Sequence, residues 1–327
     1  MTKRIILIGG ITFLIILIII LLIYTGGKEV HTDKRGEHKA DTVVIQPGPG
    51  QGIVQVQMEN VKYRIDTSIV LMIKKLRGEL IAVKKEGYPI FDKKDSYKLK
   101  IFSAEISIDM KSLSSLLNHY VFSYEGSAIS DIKVTTEGNL LKQEGEIKGI
   151  PFTAKSELSV TSDGKIRLHS VDMKAIGIEM SGLMDFFSIE LDELIKSNRD
   201  YGAVIKGNDF LLDPQKMLPP PRIEGTLDSV KLGKTSLTQI YKSANVPDLR
   251  PPIHTKNYMF YYGGRLGFGN LTMYKADMFI TARDQDDPFD FYLDHYFEQL
   301  TAGYHITTAD DGLIIYMPDY SKLKKEH

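Results

Sequence analysis

Hydrophobic and polar positions follow three rhythms along this chain. From Ile5 to Tyr24 isoleucine and leucine dominate and no charged residue intervenes. At a rise of about 1.5 Å per residue such a run spans roughly the 30 Å hydrocarbon core of a bilayer, so the pattern predicts a transmembrane helix. From Gly26 to Gly52 the apolar rhythm disappears into polar residues punctuated by Gly and Pro, which predicts a flexible linker. From Ile53 onward the dominant signal is alternation, the mark of strands with one face on a core.

Ile53, Val54, Val56 and Met58 open the alternation, and Val61, Tyr63, Ile65, Thr67, Ile69, Leu71 and Ile73 hold a period of two as one long strand. Ala104, Ile106, Ile108 and Met110 repeat it, followed by Phe152, Ala154, Leu158 and Val160, then Ile166 and Leu168. Ser162-Asp163-Gly164-Lys165 separates the last two runs as a hairpin turn, with Asp-Gly supplying the positive φ angles.

Four segments switch to helical spacing. Leu113, Leu116, Leu117, Tyr120 and Val121 fall on one face, with Ser112 as the candidate cap. Leu183, Phe187, Leu191, Leu194 and Ile195 form a second stripe, Thr235–Tyr241 a weaker third, and Tyr292, Leu293, Tyr296, Phe297 and Leu300 a fourth. The expected fold class is α+β: an N-terminal transmembrane helix, then a long, curved antiparallel sheet packed on a few amphipathic helices. The expected divisions are 1–25 for the signal-anchor, 26–52 for the linker, 53–246 for a β-rich extracytoplasmic domain, and 247–327 for a tyrosine-rich C-terminal subdomain behind Pro247, Pro251 and Pro252.

Processing and charge refine this picture. The apolar run exceeds a signal-peptide core and leads into Tyr24-Thr25-Gly26-Gly27 without a small-residue cleavage site, so an uncleaved single-pass anchor is expected. Lys3 and Arg4 favour a cytoplasmic N-terminus, with the bulk on the extracytoplasmic side of the envelope. Lys and Arg number 41 against 42 Asp and Glu, so no basic surplus points to nucleic acid. Cysteine is absent, which removes disulfides, thiolate catalysis and cysteine metal sites.

Candidate chemistry is sparse. G-x-S-x-G is absent, and no histidine pair has the spacing of a zinc-hydrolase helix. Asp284, Asp286 and Asp290 offer oxygen ligands at alternate positions and are weak metal candidates, although Asp287-Pro288 also reads as the capped entry to a helix at Phe289. A hydrolase using these aspartates with His295 would lack a nucleophile or a completed metal set. The expectation is a protein without catalytic residues or cofactor.

The stretch Glu144–Ser243 resembles the DUF2993/LmeA-like group, relatives of the tubular lipid-binding proteins. The resemblance rests on Gly149-Ile150-Pro151-Phe152, the polar hairpin at Asp163-Gly164 and the Leu183–Ile195 stripe. It continues through Phe210–Pro214, Pro219–Gly225, Val230-x-Leu232 and Leu237–Tyr241. It implies an extracytoplasmic domain that binds membrane lipid in an apolar groove between sheet and helices. The groove candidates are Leu113, Leu117, Val121, Phe152, Met180, Leu183, Phe187 and Leu191, with methionines suited to irregular filling. The alternative is a structural or interaction protein of the cell envelope with a closed core, meeting a protein partner through Tyr258–Tyr262.

Overall fold

The computed structural model describes residues 53–175, 202–206, 209–242 and 244–323. The expected anchor at Ile5–Tyr24, the linker 26–52 and the Leu183–Ile195 stripe lie outside the described residues. Among those described, no helix is long and apolar enough to cross a membrane.

The described chain is mostly β. In order it forms β1 (Val54–Arg64), β2 (Val70–Ala82), β3 (Tyr97–Asp109), helix α1 (Met110–Leu116) with a π-turn at Leu117–Val121, β4 (Ile129–Glu137), β5 (Leu140–Ile147), β6 (Ile150–Val160) and β7 (Ile166–Ala175). Then come β8 (Ala203–Lys206), β9 (Asp209–Leu212), α2 (Pro214–Met217), β10 (Arg222–Glu224), β11 (Leu227–Leu232) and β12 (Ser236–Lys242). The last part contributes β13 (Tyr258–Gly263), β14 (Leu266–Phe268), β15 (Leu271–Met273), β16 (Ala276–Ala282), β17 (Phe289–Tyr292), α3 (Tyr296–Thr301), β18 (Tyr304–Thr307) and β19 (Leu313–Met317).

The strands make two principal sheets where one was expected. The larger runs β11-β12-β3-β2-β1-β13-β16-β19-β18, and the second runs β4-β5-β6-β7-β9-β8. Pairing is antiparallel except for β10 on β3, β17 on β1 and β19 on β16. The larger sheet curls as a half-barrel, and bulges account for part of the bend. Lys74 is an extra residue on β2 between the pairs Ile73–Ile106 and Lys75–Glu105, and Phe102 is extra on β3 between Arg77–Ser103 and Gly78–Ile101. Each bulge increases local twist and resets the alternation. Ile73 and Leu76 are therefore both buried, as are Ile101 and Ala104. Gly78 sits at this crossing because a Cβ there would lie 2.5 Å from the Lys100 carbonyl oxygen.

Several expectations need correction. The run Val61–Ile73 is not one strand: it folds back at 65–69, where Asp66 Oδ1 accepts from the Ser68 and Ile69 amides and the Ser68 hydroxyl. Thr235–Tyr241 is not helical; β12 pairs with β3 in register from Ser236–Asp109 to Lys242–Ser103. The chain enters a strand at Phe289, not a helix, and the fourth stripe turns helical only from Leu293. Asp109, not Ser112, caps α1, its Oδ1 accepting from the Ser112 amide at 2.8 Å. The Asp163-Gly164 hairpin does join β6 to β7, with φ of 77° at Gly164.

The compositional boundary at Pro247 is not a boundary in space. β13 pairs with β1 from Tyr262–Gln55 to Tyr258–Glu59, so the C-terminal stretch extends the larger sheet. Residues 247–253 cover the outer face of that sheet, where Leu249 and Ile253 pack on Tyr258, Phe260, Phe279 and Ile314. Arg77, 1% exposed, fastens this cover. Its Nε donates to the Pro247 carbonyl at 3.0 Å, Nη1 to the Val56 and Gly78 carbonyls, and Nη2 to Gln55 Oε1. Gln57 adds a second clasp, donating to Tyr258 Oη at 2.6 Å and accepting from the Leu249 amide at 2.7 Å.

Candidate functional site: an apolar cavity between two sheets

Both sheets and α1 contribute to one hydrophobic core. Within it lies a cavity of about 230 Å³. The larger sheet lines it with Met58, Leu71, Ile73, Leu76, Ile101, Ile106, Ile108 and Leu237, and the second sheet with Ile132, Val134, Leu141, Ile147, Ala154, Leu158, Ile166, Leu168 and Met173. Leu113, Leu116, Leu117 and Phe122 contribute from α1 and the turn after it, and Met217 and Pro219–Pro221 from the return crossing to the larger sheet. An apolar cavity of about 150 Å³ stays dry and admits a ring the size of benzene. This one is larger.

Local chemistry explains why the helix sits at the wall. Ser114 and Asn118 act as substitutes for a neighbouring strand along β4. Ser114 Oγ accepts from the Val134 amide at 2.8 Å, while Asn118 Oδ1 accepts from the Ile132 amide and its Nδ2 donates to the Ile132 carbonyl at 2.7 Å. The exposed edge of the second sheet is thereby satisfied by side chains, and the Leu113–Leu116–Leu117 face is held toward the core.

Among the described residues the charged groups at the cavity wall are paired. Arg64 donates through Nε and Nη2 to the two oxygens of Asp290 at 2.5 and 2.8 Å. Burial pushes the Asp290 carboxyl up, but the bonds from Arg64 and Ser321 outweigh it and hold the group below the usual carboxylate range. Lys94 Nζ lies 2.5 Å from Asp294 Oδ1, and Asp209 meets Arg167 Nε and His169 Nδ1, each at 2.7 Å.

A short polar line interrupts the apolar wall. Gln143 on β5, Ser156 on β6 and Ser170 on β7 all line the cavity. Ser156 and Ser170 are register partners, and Ser156 Oγ donates to Gln143 Oε1 at 3.2 Å. Ser170 Oγ is buried and has no hydrogen-bond partner among the described residues. The sequence carried a signal here, because Ser156 is the gap in the inward series Phe152, Ala154, Leu158, Val160.

Of the residues expected to form a groove, Leu113, Leu117 and Phe152 line the cavity, and Val121 is buried in the same core without reaching its wall. Met180, Leu183, Phe187 and Leu191 lie outside the described residues. The three aspartates do not converge: Asp290 is committed to Arg64, while Asp284 accepts from the Asp286 amide and Lys322. Among the described residues no group of three or more His, Cys, Asp or Glu could hold a metal ion. His295 pairs with Glu298 at 3.0 Å. The tyrosine run is mostly internal: Tyr258 and Phe260 lie under the 247–253 cover and Tyr261 faces the main core, leaving Tyr262 exposed.

Comparison with family models, with curated proteins and with solved structures finds no match for this chain.

Proposed function

We propose that this protein is a membrane-anchored, non-catalytic module of the extracytoplasmic envelope that holds the acyl part of a lipid in the cavity between its two sheets. The observation that carries the reading is the cavity itself, a 230 Å³ space walled by aliphatic and aromatic side chains of both sheets. Apolar ligands gain by leaving water for such a space, and most binding sites share this lining with a few polar groups placed for orientation. The anchor at Ile5–Tyr24 and the 26–52 linker support it by keeping the domain at high effective concentration beside its ligand source. The resemblance of Glu144–Ser243 to tubular lipid-binding relatives points the same way.

A second reading is favoured by one feature. β18 closes one edge of the larger sheet with all four residues exposed, Tyr304 and Ile306 at 50% each. An open edge of this kind accepts a strand from an envelope protein partner.

Lipid extraction from the full chain, purified from membranes in a non-ionic detergent, separates the two. A stoichiometric acyl lipid in the extract, lost in a folded Ala154→Phe variant, supports the lipid module. A folded wild-type chain without lipid favours the interaction protein.

A further inference from the structure

The polar line on the cavity wall deepens the reading just given and rests on it. We infer that the bound lipid presents a neutral acyl ester, whose carbonyl oxygen accepts a hydrogen bond from Ser170 Oγ. Three observations carry this.

Ser170 Oγ is buried at the cavity wall without a partner among the described residues. A hydroxyl hidden from water retains its full desolvation cost until something accepts its proton. Its register partner Ser156 does not relieve it, because the Ser156 hydroxyl is directed to Gln143 Oε1. Side chains directly opposed on one face lie about 5 Å apart, so one carbonyl group seated over the pair reaches Ser170 while its alkyl chain continues along Leu168 and Ile166.

The charge pattern selects among acceptors. An ionised carboxylate entering the cavity needs an unpaired cation to offset its desolvation. Among the described residues the basic side chains in the lining, Arg64 and Lys94, are already engaged by Asp290 and Asp294. A free fatty acid is therefore disfavoured. An ester carbonyl brings an acceptor without a charge and without a donor that would need its own partner.

The test offers the full chain, in non-ionic detergent, equal amounts of methyl palmitate and of an alkane matched in length. Bound ligand is read by native mass spectrometry. The expected result is about tenfold preference for the ester, the effect of one buried hydrogen bond. Ser170→Ala should abolish the preference, and Ser170→Thr, which keeps a hydroxyl, should retain it. Equal uptake of ester and alkane by the wild-type chain, or preference that survives Ser170→Ala, overturns the ester assignment and leaves the apolar site standing. Uptake of neither ligand overturns the lipid reading and this inference together.

Discussion

Arg64 and Asp290, 226 residues apart in sequence, form a two-bond ion pair at the point where β17 joins β1 in parallel. The Asp290 side chain is 5% exposed and that of Arg64 20%. The Asp290 amide donates to Asp319, and its carbonyl accepts from the fully buried Gln299. Removing one member of a buried pair strands the other charge. Asp290→Ala should destabilise the chain by about 2–4 kcal/mol, read as a lower denaturant midpoint. A loss below half of that would show that Arg64 finds water or another acceptor.

Acid sensitivity follows from the same group and from Asp66. Burial raises the Asp66 carboxyl, but the Ser68 backbone and side-chain bonds and the Ile69 amide outweigh it and leave it lowered; Asp290 is lowered too. A carboxylate whose native pKa lies below its unfolded value, about 3.9, stabilises fully above that value. The contribution is lost as pH falls through the depressed native value. The wild-type chain should therefore lose stability below about pH 4. Asp290→Asn should be less stable at neutral pH yet show a shallower acid limb. Denaturant midpoints measured across that range check this, and parallel limbs in the two proteins would refute it.

Arg77 makes a separate prediction because it holds the outer cover, not the cavity. Its guanidinium is buried, and burial lowers its pKa from the usual arginine value. Arg77→Ala leaves the Pro247 carbonyl and Gln55 without their donor and frees residues 247–253 from Tyr258, Phe260 and Phe279. The expected cost is about 2–4 kcal/mol, with faster proteolytic cleavage near Pro247. Unchanged cleavage would mean that Gln57, through Leu249 and Tyr258, and the Lys75–Asp248 ion pair hold the cover without it.

The strands were legible because alternation is a direct image of a half-buried sheet, and the hairpin at Asp163-Gly164 because its turn chemistry is local. The turn that parts β1 from β2 within the larger sheet was hidden. Ile65 and Ile69 carry the period of two through the Asp66 turn, so the fold-back leaves no break in the pattern. Leu237, Ile240 and Tyr241 fit a helical stripe as well as they fit β12, and only pairing with β3 decides between them. The cavity was legible in its wall residues Leu113, Leu117 and Phe152. Of its polar line only Ser156 showed, as a gap in the inward series; Ser170 did not, because register between β6 and β7, interrupted by a bulge between Lys155 and Ser156, is what brings it opposite Ser156.

The cavity can be tested through stability alone, without a ligand. Ala154 on β6 is 4% exposed and lines the space. In a filled core, Ala154→Phe would overpack and cost about 1–3 kcal/mol. Beside an available apolar space, the ring buries its surface without displacing neighbours, and fully burying a phenylalanine is worth about 1.5–3 kcal/mol over leaving it exposed. Some of that gain is spent on confining the side chain. Ala154→Phe should therefore raise the denaturant midpoint of lipid-free protein, by the equivalent of about 1 kcal/mol, and lower acyl-lipid occupancy of the protein as purified from membranes. The opposite signs are diagnostic, since a variant that merely damages the fold lowers both. A destabilised, folded Ala154→Phe chain that still retains lipid would place the ligand elsewhere than between the two sheets.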